Sequence, residues 1–404
     1  MKSVNVLGLG YIGLPSACLF AKNNFSVTGI DIDKNKLDLL SSLQTPFYEP
    51  KLEQNLLKAV QSGNLKFASN PQEADIHIIC VPTPFRKTDK EPEPDISIVE
   101  DAFNSILPIL KENNLVILES TSPIGTTEHL WEILKNFNQD LAQSIKIAYC
   151  PERVLPGNVF YELENNDRIV GGINNESSIM AETFYGHFVN GSIHKTNAKT
   201  AEAAKLAENS FRDLNIAFAN QLSMLSDEIQ INPFELINLC NKHPRVNILS
   251  PGSGVGGHCI AVDPWFLAYN HENTSLIKEA RRVNDSKPIW ISRKVESKIN
   301  DFTVKHDRAP FVTFLGLAFK PNIDDFRESP ALKILEHFSK HENIFAVEPF
   351  AKELITSIKL ISFEDAILKS DIIIGLVKHD QFLAERLTNF SNNKIFLDYV
   401  GILE

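Results

Sequence analysis

The sequence predicts an α/β protein in which two Rossmann-like domains with parallel sheets are joined by a central all-helical domain. Three observations predict this fold. The first third of the chain alternates short β-branched runs with amphipathic stretches, the middle contains a segment (201–229) without Gly or Pro, and the last quarter returns to alternation. Strands that alternate with helices form parallel sheets covered by helices on both faces. The expected domain bounds are 1–195, 196–300 and 301–404.

The first domain is predicted from short apolar runs separated by helical patterns. We expect strands over residues 4–8, 27–31, 76–81, 115–119 and 145–149 and helices that include 14–22 and 52–61. A polar, proline-punctuated loop (83–95) follows the third of these strands. Open α/β sheets bind their ligands at the carboxyl ends of the strands, so this loop lies at the expected binding edge.

The middle of the chain is predicted to be one long helix followed by shorter ones. Apolar residues recur at helical spacing over 201–229, at Ile216, Ala219, Leu222, Leu225 and Ile229. A helix of that length would extend about 43 Å at 1.5 Å per residue. This exceeds what one small core covers, so we expect it to bridge domains or to pack on a second subunit. Two further helices are expected over 233–241 and 276–284.

The last domain repeats the α/β pattern. Strands are expected over 311–317, 344–347, 371–377 and 394–398. Ser329 and Pro330 precede an apolar helical run (331–338), which is a favourable helix start because a hydroxyl caps the first turn and proline is tolerated there.

Composition restricts the possible functions. The 404 residues carry a formal net charge of −11, whereas a nucleic-acid-binding face is basic, so we expect no nucleic acid partner. No apolar run reaches the roughly 18 residues of a membrane span, and the chain opens directly into a strand, so neither a membrane segment nor a signal peptide is expected. The five cysteines form no CxxC pair, which favours a reducing cytoplasm and predicts no metal site.

A glycine-rich turn follows the first predicted strand. It matches GxGxxG and reads Gly8-Leu9-Gly10-Tyr11-Ile12-Gly13. In such a turn the first glycine makes the turn, the second lets the backbone approach a pyrophosphate, and the third lets helix and strand pack closely. Asp31 ends the next strand and suits a free ribose 2′-hydroxyl, so these residues predict NAD rather than NADP as cofactor. The alternative is a Rossmann-like domain that holds no dinucleotide.

A second glycine-rich run places a thiol beside polar residues. It reads Gly254-Val255-Gly256-Gly257-His258-Cys259, and Asp263 follows. Glycine allows close backbone approach, so the loop can surround a ligand and hold the Cys259 thiol where it could bond to a carbonyl carbon. His258 is an alternative base, although neighbouring side chains of an extended segment point to opposite faces. The remaining cysteines are expected to be small buried apolar side chains: Cys18, Cys80, Cys150 and Cys240.

Three polar residues are further candidates for chemistry. Lys205 and Asn209 stand four apart on the long predicted helix and therefore share one face. An ammonium and an amide together could stabilise an oxyanion. Glu152 follows the fifth predicted strand, at the ligand-binding edge of the sheet, and is a candidate base.

Together these motifs resemble the UDP-glucose/GDP-mannose dehydrogenase family over essentially the whole chain. The shared motifs, in chain order, are the first glycine turn, Val81-Pro82-Thr83-Pro84, Glu119-Ser120-Thr121, Lys205 with Asn209, the loop 254–263, and Gly316-Leu317-Ala318-Phe319-Lys320 followed by Asp324-Asp325-Phe326-Arg327-Glu328-Ser329.

Within that family, the stretches 150–157, 209–217, 243–248 and 257–265 are similar to the branch that oxidises UDP-N-acetyl-D-mannosamine. The UDP-glucose branch usually has an aromatic residue at the position of Arg153 and a basic one at that of Val262. The sequence shows no pocket geometry, so UDP-N-acetylglucosamine and UDP-glucose remain alternative substrates. A non-catalytic nucleotide-sugar-binding protein is the alternative from another class.

The resemblance implies oxidation of the C6 alcohol of a UDP-sugar to a carboxylate with two NAD. Cys259 would capture the aldehyde as a thiohemiacetal, which is oxidised to a thioester and hydrolysed. Lys205 and Asn209 would stabilise the oxyanions. Asp263 would help to organise the thiol, Lys205 and water, and Glu152 would serve the acid and base steps of hydrolysis. From the length of the predicted central helix we also expect a homodimer formed through it.

The resemblance assigns further residues to the two ligands. Thr121 would hold a water molecule or a cofactor group, and Thr83, Ser120 and Arg327 would line the NAD site. The substrate would be bound by Arg153, Arg245, Gly256, Gly257 and Lys320, with Arg245 reaching across the dimer interface.

One departure from the family concerns the end of the last predicted strand. It reads Asp398-Tyr399-Val400-Gly401, where family members commonly carry an Arg or Lys beside an Asn. A basic contact to the nucleotide is therefore missing here or is supplied elsewhere.

Overall fold

The computed structural model describes the chain except for Met1, Lys87, Asp89, Lys90, Pro156, His258 and residues 352–355 and 384–393. It separates into two compact units, which we treat one at a time. The first comprises Met1–Glu208 and Trp265–Tyr269, and the second comprises Asn209–Pro264 and Asn270–Glu404. The boundary at residue 208 falls within a single long helix. The three-domain division with bounds at 195 and 300 remains a prediction.

The first unit is built on an eight-stranded sheet. Its strands, with those of a small separate hairpin (β5 and β6), are β1 (Ser3–Leu7), β2 (Ser26–Ile30), β3 (Leu65–Ala68), β4 (Ile76–Ile79), β5 (Phe85–Arg86), β6 (Glu93–Pro94), β7 (Leu115–Leu118), β8 (Lys146–Tyr149), β9 (Arg168–Gly172) and β10 (Ile193–Asn197). The strand order in the sheet is β10-β9-β8-β7-β4-β1-β2-β3. Neighbouring strands are parallel except β8 and β9, which are antiparallel.

Helices cover both faces of this sheet. They are α1 (Gly13–Lys22), α2 (Lys34–Ser41), α3 (Leu52–Gln61), α4 (Ser97–Ile106), α5 (Thr126–Phe137), α6 (Gln139–Ser144), α7 (Val159–Asn165) and α8 (Asn175–Tyr185). Strand β7 is buried on both sides, because Leu115 and Ile117 belong to one hydrophobic core and Val116 and Leu118 to another. Such double burial explains why the strands of the sequence are continuous apolar runs.

The second unit combines helices with a five-stranded parallel sheet. The chain continues with α9 (Ala198–Glu228), α10 (Pro233–Cys240), α11 (Asp263–Ala268), α12 (Ser275–His306), β11 (Val312–Leu315), α13 (Pro330–His337), β12 (Ile344–Val347), β13 (Lys359–Leu360), α14 (Phe363–Lys369), β14 (Ile372–Gly375) and β15 (Ile395–Asp398). The strand order is β13-β12-β11-β14-β15. The predicted fold class is therefore confirmed: two largely parallel sheets with a helical region between them in sequence.

The helix expected over 276–284 is much longer than predicted. Helix α12 continues through Pro288 to His306, although proline inside a helix removes a hydrogen bond and costs about 3 kcal/mol. Beyond the proline, Ile291, Val295 and Ile299 are buried at helical spacing. The burial of this face outweighs the local cost.

The start of α13 is as predicted. The Ser329 side chain accepts a hydrogen bond from the backbone N–H of Leu332, and Pro330 is the first helical residue.

None of the helices in the described part of the chain combines the length and the apolar composition needed to cross a membrane.

Candidate active site

The glycine turn between β1 and α1 leaves room for a ligand at one position. A Cβ on Gly13 would lie 1.8 Å from the carbonyl oxygen of Gly8, and a Cβ on Gly8 would lie 2.7 Å from that of Cys80. Gly10 has no atom within 4 Å of its would-be Cβ. The first and third glycines are therefore needed for packing, while the second faces open space. This arrangement fits the close approach of a pyrophosphate to the start of α1.

Asp31 closes the same turn from the end of β2. Its carboxylate accepts hydrogen bonds from the N–H of Leu9 (2.9 Å) and of Asp33 (3.0 Å) and from the ammonium of Lys36 (2.7 Å). Burial raises the pKa of Asp31, but Lys36 and the two N–H groups lower it more, so the pKa lies below its usual value. The carboxylate is therefore ionised at neutral pH and can accept a hydrogen bond from a ribose hydroxyl.

The other residues expected at the cofactor are spread over this edge of the sheet. Tyr11 stacks on Phe47 with ring centroids 4.2 Å apart, and Ile12 is half-buried before α1. The Ser120 hydroxyl donates to the carbonyl oxygen of Val81 at 2.7 Å and thus ties the ends of β7 and β4 together. Thr83 and Thr121 are half-buried in the segments that follow those two strands. Their expected roles remain predictions.

Glu152 and Lys205 are brought together in the first unit. The Lys205 ammonium donates to the backbone carbonyl of Glu152 at 2.8 Å, and the Glu152 carboxylate accepts from the N–H of Val154. Burial raises the pKa of Glu152, and the opposing effect of Lys205 does not cancel it. A raised pKa moves a carboxyl group toward the neutral range, which is the direction that the predicted acid and base role requires.

A buried polar cluster in the same unit was not predicted. The Glu119 carboxylate, which is 4% exposed, accepts hydrogen bonds from the Tyr185 hydroxyl and from the Cys80 thiol (3.2 Å). Arg168 lies 3.6 Å from Glu119 and over the Tyr185 ring. Cys80 was therefore wrongly expected to be only an apolar side chain. The four members of this cluster come from four segments that are far apart along the chain, so no local pattern could have found them.

The second glycine-rich loop packs against one segment of the second unit. Gly254 and Gly257 have positive φ, 137° and 81°, and a Cβ on Gly256 would lie 2.8 Å from both the Phe319 side chain and the Glu328 carbonyl oxygen. The N–H of Gly257 donates to the carbonyl oxygen of Arg327 at 3.2 Å. A side chain at Gly256 would collide with these atoms, and the positive φ at Gly254 and Gly257 favours glycine, so the loop needs glycine at all three positions. The guanidinium of Arg327 binds the carboxylate of Asp325 (2.8 Å and 3.0 Å), so its expected role at NAD remains a prediction.

Cys259 stands at the end of this loop and is exposed. Its carbonyl oxygen accepts from the N–H of Asp263 at 2.9 Å, which starts α11. The buried carboxylate of Asp263 accepts a 2.5 Å hydrogen bond from the side-chain amide of Asn209 on α9. The second unit thus holds Cys259 and Asp263 in one turn, and a hydrogen bond joins Asp263 to Asn209 on α9. The neighbouring His258, the alternative base, lies outside the described residues.

A fully buried arginine supports that turn from α12. Arg281 donates to the Asp213 carboxylate on α9, to Asp285 at 2.6 Å and to the backbone carbonyl of Ile260 at 3.4 Å. Ile260 directly follows Cys259, so the guanidinium helps to fix the backbone next to the thiol. Sequence reasoning missed this contact, because its partners are far apart along the chain.

The expected substrate residues Arg153, Arg245 and Lys320 lie at or near the surface. The guanidinium of Arg153 pairs with Glu208 at 2.7 Å. Arg245 follows α10, and Lys320 stands between Phe319 and Pro321 with an exposed side chain. Their roles toward a substrate remain predictions, as do those of Gly256 and Gly257.

The second unit also contains a cavity of about 1050 Å³. It is bordered by α10, by the beginning of the glycine-rich loop (250–254) and by the segments that follow β14 and β15. The carboxyl ends of parallel strands are the usual ligand-binding edge of such a sheet. Its volume is slightly above the roughly 300–1,000 Å³ typical of small-molecule sites.

Together, the parallel sheets, the open glycine turn with Asp31, and the exposed thiol on its glycine-rich loop define a dinucleotide-dependent oxidoreductase. The chain belongs to the UDP-glucose/GDP-mannose dehydrogenase family. The family's NAD-binding domain matches residues 2–189, its central domain 199–286 and its UDP-binding domain 313–404. The protein is therefore an NAD-dependent UDP-sugar dehydrogenase.

Characterised relatives and solved structures agree with this family. A UDP-N-acetyl-D-mannosamine dehydrogenase of Campylobacter jejuni is 48% identical over 95% of this chain and 96% of its own. An NDP-N-acetyl-D-galactosaminuronic acid dehydrogenase of Ralstonia nicotianae is 44% identical over 94% of this chain and 92% of its own. A solved structure of a UDP-D-ManNAc dehydrogenase from Pyrococcus horikoshii is 35% identical in sequence and superposes with a TM-score of 0.87. The match covers 100% of this chain and 96% of the Pyrococcus chain.

Proposed function

We propose that the protein oxidises the C6 alcohol of UDP-N-acetyl-D-mannosamine to the carboxylate, giving UDP-N-acetyl-D-mannosaminuronate. Relatives similar to this chain over nearly its whole length carry the name of that dehydrogenase, among them those of Campylobacter jejuni and of Escherichia coli. Solved structures similar over almost the entire chain, from Pyrococcus horikoshii and Staphylococcus aureus, are named for the same substrate.

The reaction removes four electrons and adds the oxygen of one water molecule. The C6 alcohol loses a proton and a hydride to become an aldehyde. The Cys259 thiolate then adds to the aldehyde carbon, and the resulting thiohemiacetal loses a second hydride to become a thioester. Water displaces the sulfur and releases the carboxylate. When bound, NAD accepts the hydride, so two NAD are reduced for each sugar.

The residues of this chain would hold and move the charges of these steps. A free thiol is only a few per cent ionised at neutral pH, and a cation helps to form the thiolate; the family resemblance assigns that role to Lys205. Lys205 and Asn209 would stabilise the oxyanions, since oriented donors act most strongly where charge develops. Asp263, held by Asn209 at 2.5 Å, would orient that amide. Glu152, with its raised pKa, would accept the proton of the hydrolytic water.

The observation that carries this proposal is the exposed Cys259 at the end of the glycine-rich loop, in one turn with Asp263, whose carboxylate accepts from Asn209. An accessible thiol is suited to attack a bound carbonyl, whereas Cys18 and Cys150 are buried. Because the sulfur would keep the aldehyde attached, one site can carry both oxidations.

A panel of sugar nucleotides tests the substrate. The protein is incubated with NAD and separately with the UDP derivatives of N-acetylmannosamine, N-acetylglucosamine, N-acetylgalactosamine and glucose, and kcat/KM is measured from NADH formation. We expect the first to give the highest value. Turnover of UDP-glucose alone would contradict the proposal.

We also propose that the protein is a homodimer formed through α9. This helix exposes apolar side chains seven residues apart, Phe211 (71% exposed), Phe218 (52%) and Leu225 (46%). Seven residues are close to two helical turns, so these side chains lie along one face. An apolar stripe of this kind on an exposed helix is typical of an interface.

The dimer is tested by light scattering of the unmodified protein and of Phe218→Glu. We expect a dimer and a monomer, respectively. Val304→Glu is the matched control, because Val304 is 87% exposed on α12 and outside the stripe. An unmodified protein that is monomeric at working concentrations would refute the interface.

A further inference from the structure

The cavity of the second unit has an unusual balance of charge for a nucleotide site. Its described lining includes three carboxylates, those of Glu235, Asp380 and Glu404, and one cation, Lys378. A nucleotide diphosphate is strongly anionic, and the protein as a whole has a formal net charge of −11. An anion bound here would therefore depend on Lys378.

Lys378 is placed to make such a contact. It follows β14, three residues after Gly375, at the carboxyl edge of the sheet, and its side chain is half-buried. Among the described residues, no hydrogen bond or ion pair holds its ammonium group. By contrast, Lys333 and Lys369 of the same sheet domain are engaged by Glu328 and Asp365. The charge of Lys378 is thus available to a ligand.

The neighbouring strand end supplies no cation. Strand β15 pairs with β14, with Gly375 opposite Asp398, and the turn that follows is folded around the Asp398 carboxylate. That carboxylate accepts the N–H groups of Val400, Gly401 and Leu403. Val400 and Gly401 line the cavity, so the basic residue expected in this turn is replaced by apolar surface.

We propose that Lys378 binds the diphosphate of the UDP-sugar and supplies, from the end of β14, the positive charge that the turn after β15 lacks. This inference rests on the proposed function for the identity of the sugar. For the UDP part of the substrate, the inference rests only on the family's UDP-binding domain, which matches residues 313–404. Lys320, which lies between two lining residues, is itself exposed outside the cavity lining.

The test is a calorimetric titration of the full-length protein with UDP and, separately, with uridine. Lys378→Gln should weaken UDP binding by about 10- to 100-fold, the range for losing a charge-assisted contact. Uridine binding should stay within about twofold, because uridine has no phosphate. Lys378→Arg keeps the charge and should retain most of the UDP affinity.

Lys369→Gln is the matched control. It removes the same charge from the same domain, but Lys369 ends α14, just before the amino end of β14, and pairs with Asp365. UDP affinity in this variant should match that of the unmodified protein. If Lys378→Gln and Lys369→Gln bind UDP equally well, the assignment of Lys378 is wrong.

Kinetics separate this inference from the proposed function. With UDP-N-acetylmannosamine, Lys378→Gln should raise KM by a factor similar to the loss of UDP affinity and change kcat by less than about twofold, because a remote binding contact is lost. An unmodified protein that binds UDP through Lys378 but turns over a different UDP-sugar would refute the substrate and support the role of Lys378. Loss of kcat without a change in KM or UDP affinity would refute that role.

Discussion

Gly8 and Gly316 occupy equivalent places in the two sheets, after β1 and β11. Both have positive φ, 92° and 84°. A Cβ on Gly8 would lie 2.7 Å from the carbonyl oxygen of Cys80, and a Cβ on Gly316 would lie 2.8 Å from that of Val377. Cys80 and Val377 follow the strands that pair with β1 and β11 on the same side. The two sheets therefore use the same turn for the same steric reason.

A carboxylate at the end of the next strand completes each turn. Asp31 after β2 accepts the N–H of Leu9, and Glu348 after β12 accepts that of Leu317 at 2.6 Å. The difference lies in what else the carboxylate contacts. Asp31 faces the partly exposed Lys36, whereas Glu348 contacts the fully buried ring of His379 at 3.2 Å.

The carboxylate of the first turn thus contacts a partly exposed side chain, whereas that of the second turn is enclosed by protein groups. We call these the open turn and the closed turn. Because the other ring nitrogen of His379 accepts the N–H of Asn322 at 2.9 Å, the nitrogen that faces Glu348 carries the proton and donates it. The carboxylate of Glu348 therefore makes its hydrogen bonds to groups of the protein itself. In addition, α1 starts at Gly13, close to Gly8, whereas α13 starts at Pro330, well after Gly316. We therefore expect the turn of the first unit to hold the dinucleotide and the Gly316 turn of the second unit to serve the packing of its sheet.

The largest effect is expected within the open turn. Gly13→Ala places a Cβ 1.8 Å from the Gly8 carbonyl oxygen, so helix α1 must move, and we expect a loss of more than about 4 kcal/mol of unfolding free energy. Gly10→Ala, with nothing within 4 Å, should cost less than about 1 kcal/mol yet weaken NAD binding at least about tenfold. Urea denaturation and NAD titration measure the two quantities. Equal unfolding free energies of the two variants would contradict the different roles assigned to Gly13 and Gly10.

The second prediction exchanges the two carboxylates for amides. Glu348→Gln disturbs an acceptor with three buried donors, Leu317, Ala318 and His379, so we expect a loss of about 2–4 kcal/mol and unchanged NAD affinity. Asp31→Asn should cost less, about 1–2 kcal/mol, and should weaken NAD binding. A loss of NAD affinity in Glu348→Gln would show that the second turn is not purely structural.

The smallest effect is a pH dependence. Burial raises the pKa of Glu348, but His379 and the backbone donors lower it more, so its pKa in the fold lies below the ordinary 4.5. The stabilisation from the charged form is thus present above pH 4.5 and is lost as the pH falls through the lowered pKa.

The difference in unfolding free energy between the unmodified protein and Glu348→Gln should therefore shrink between pH 6 and pH 3. Glu336→Gln is the control, because Glu336 is exposed on α13. A gap that is constant over this range would contradict an ionised Glu348.

Much of the fold followed from local signals. Three features depend on residues that are close in sequence: the first glycine turn with Asp31, the cap at Ser329, and the part of α9 that contains no Gly or Pro. The strands β9 and β10 were missed because β9 contains Gly171 and Gly172 and β10 is a polar edge strand, Ile193–Asn197. The length of α12 was missed because Pro288 signals a helix end, and only tertiary packing overrides it.

The candidate site divides in the same way. Cys259, Asp263, Lys205 and Asn209 could be named as candidates because a glycine-rich loop and a helical spacing are visible in one sequence, and their roles stay predictions. The contacts of Arg281 with Asp213 and Ile260 and the group around Glu119 join distant segments, so no spacing rule applies to them. Lys378 carried no motif at all, and its importance comes from the cavity that folding places around it.

The central claim is that one thiol holds the sugar through two oxidations, and the ratio of NADH formed to UDP-N-acetylmannosamine consumed tests it most directly. We expect two NADH per sugar and release of the carboxylate, and Cys259→Ala should form no acid while binding NAD nearly as well as the unmodified protein. One NADH per sugar with release of a free aldehyde, or unchanged acid formation by Cys259→Ala, would contradict the account.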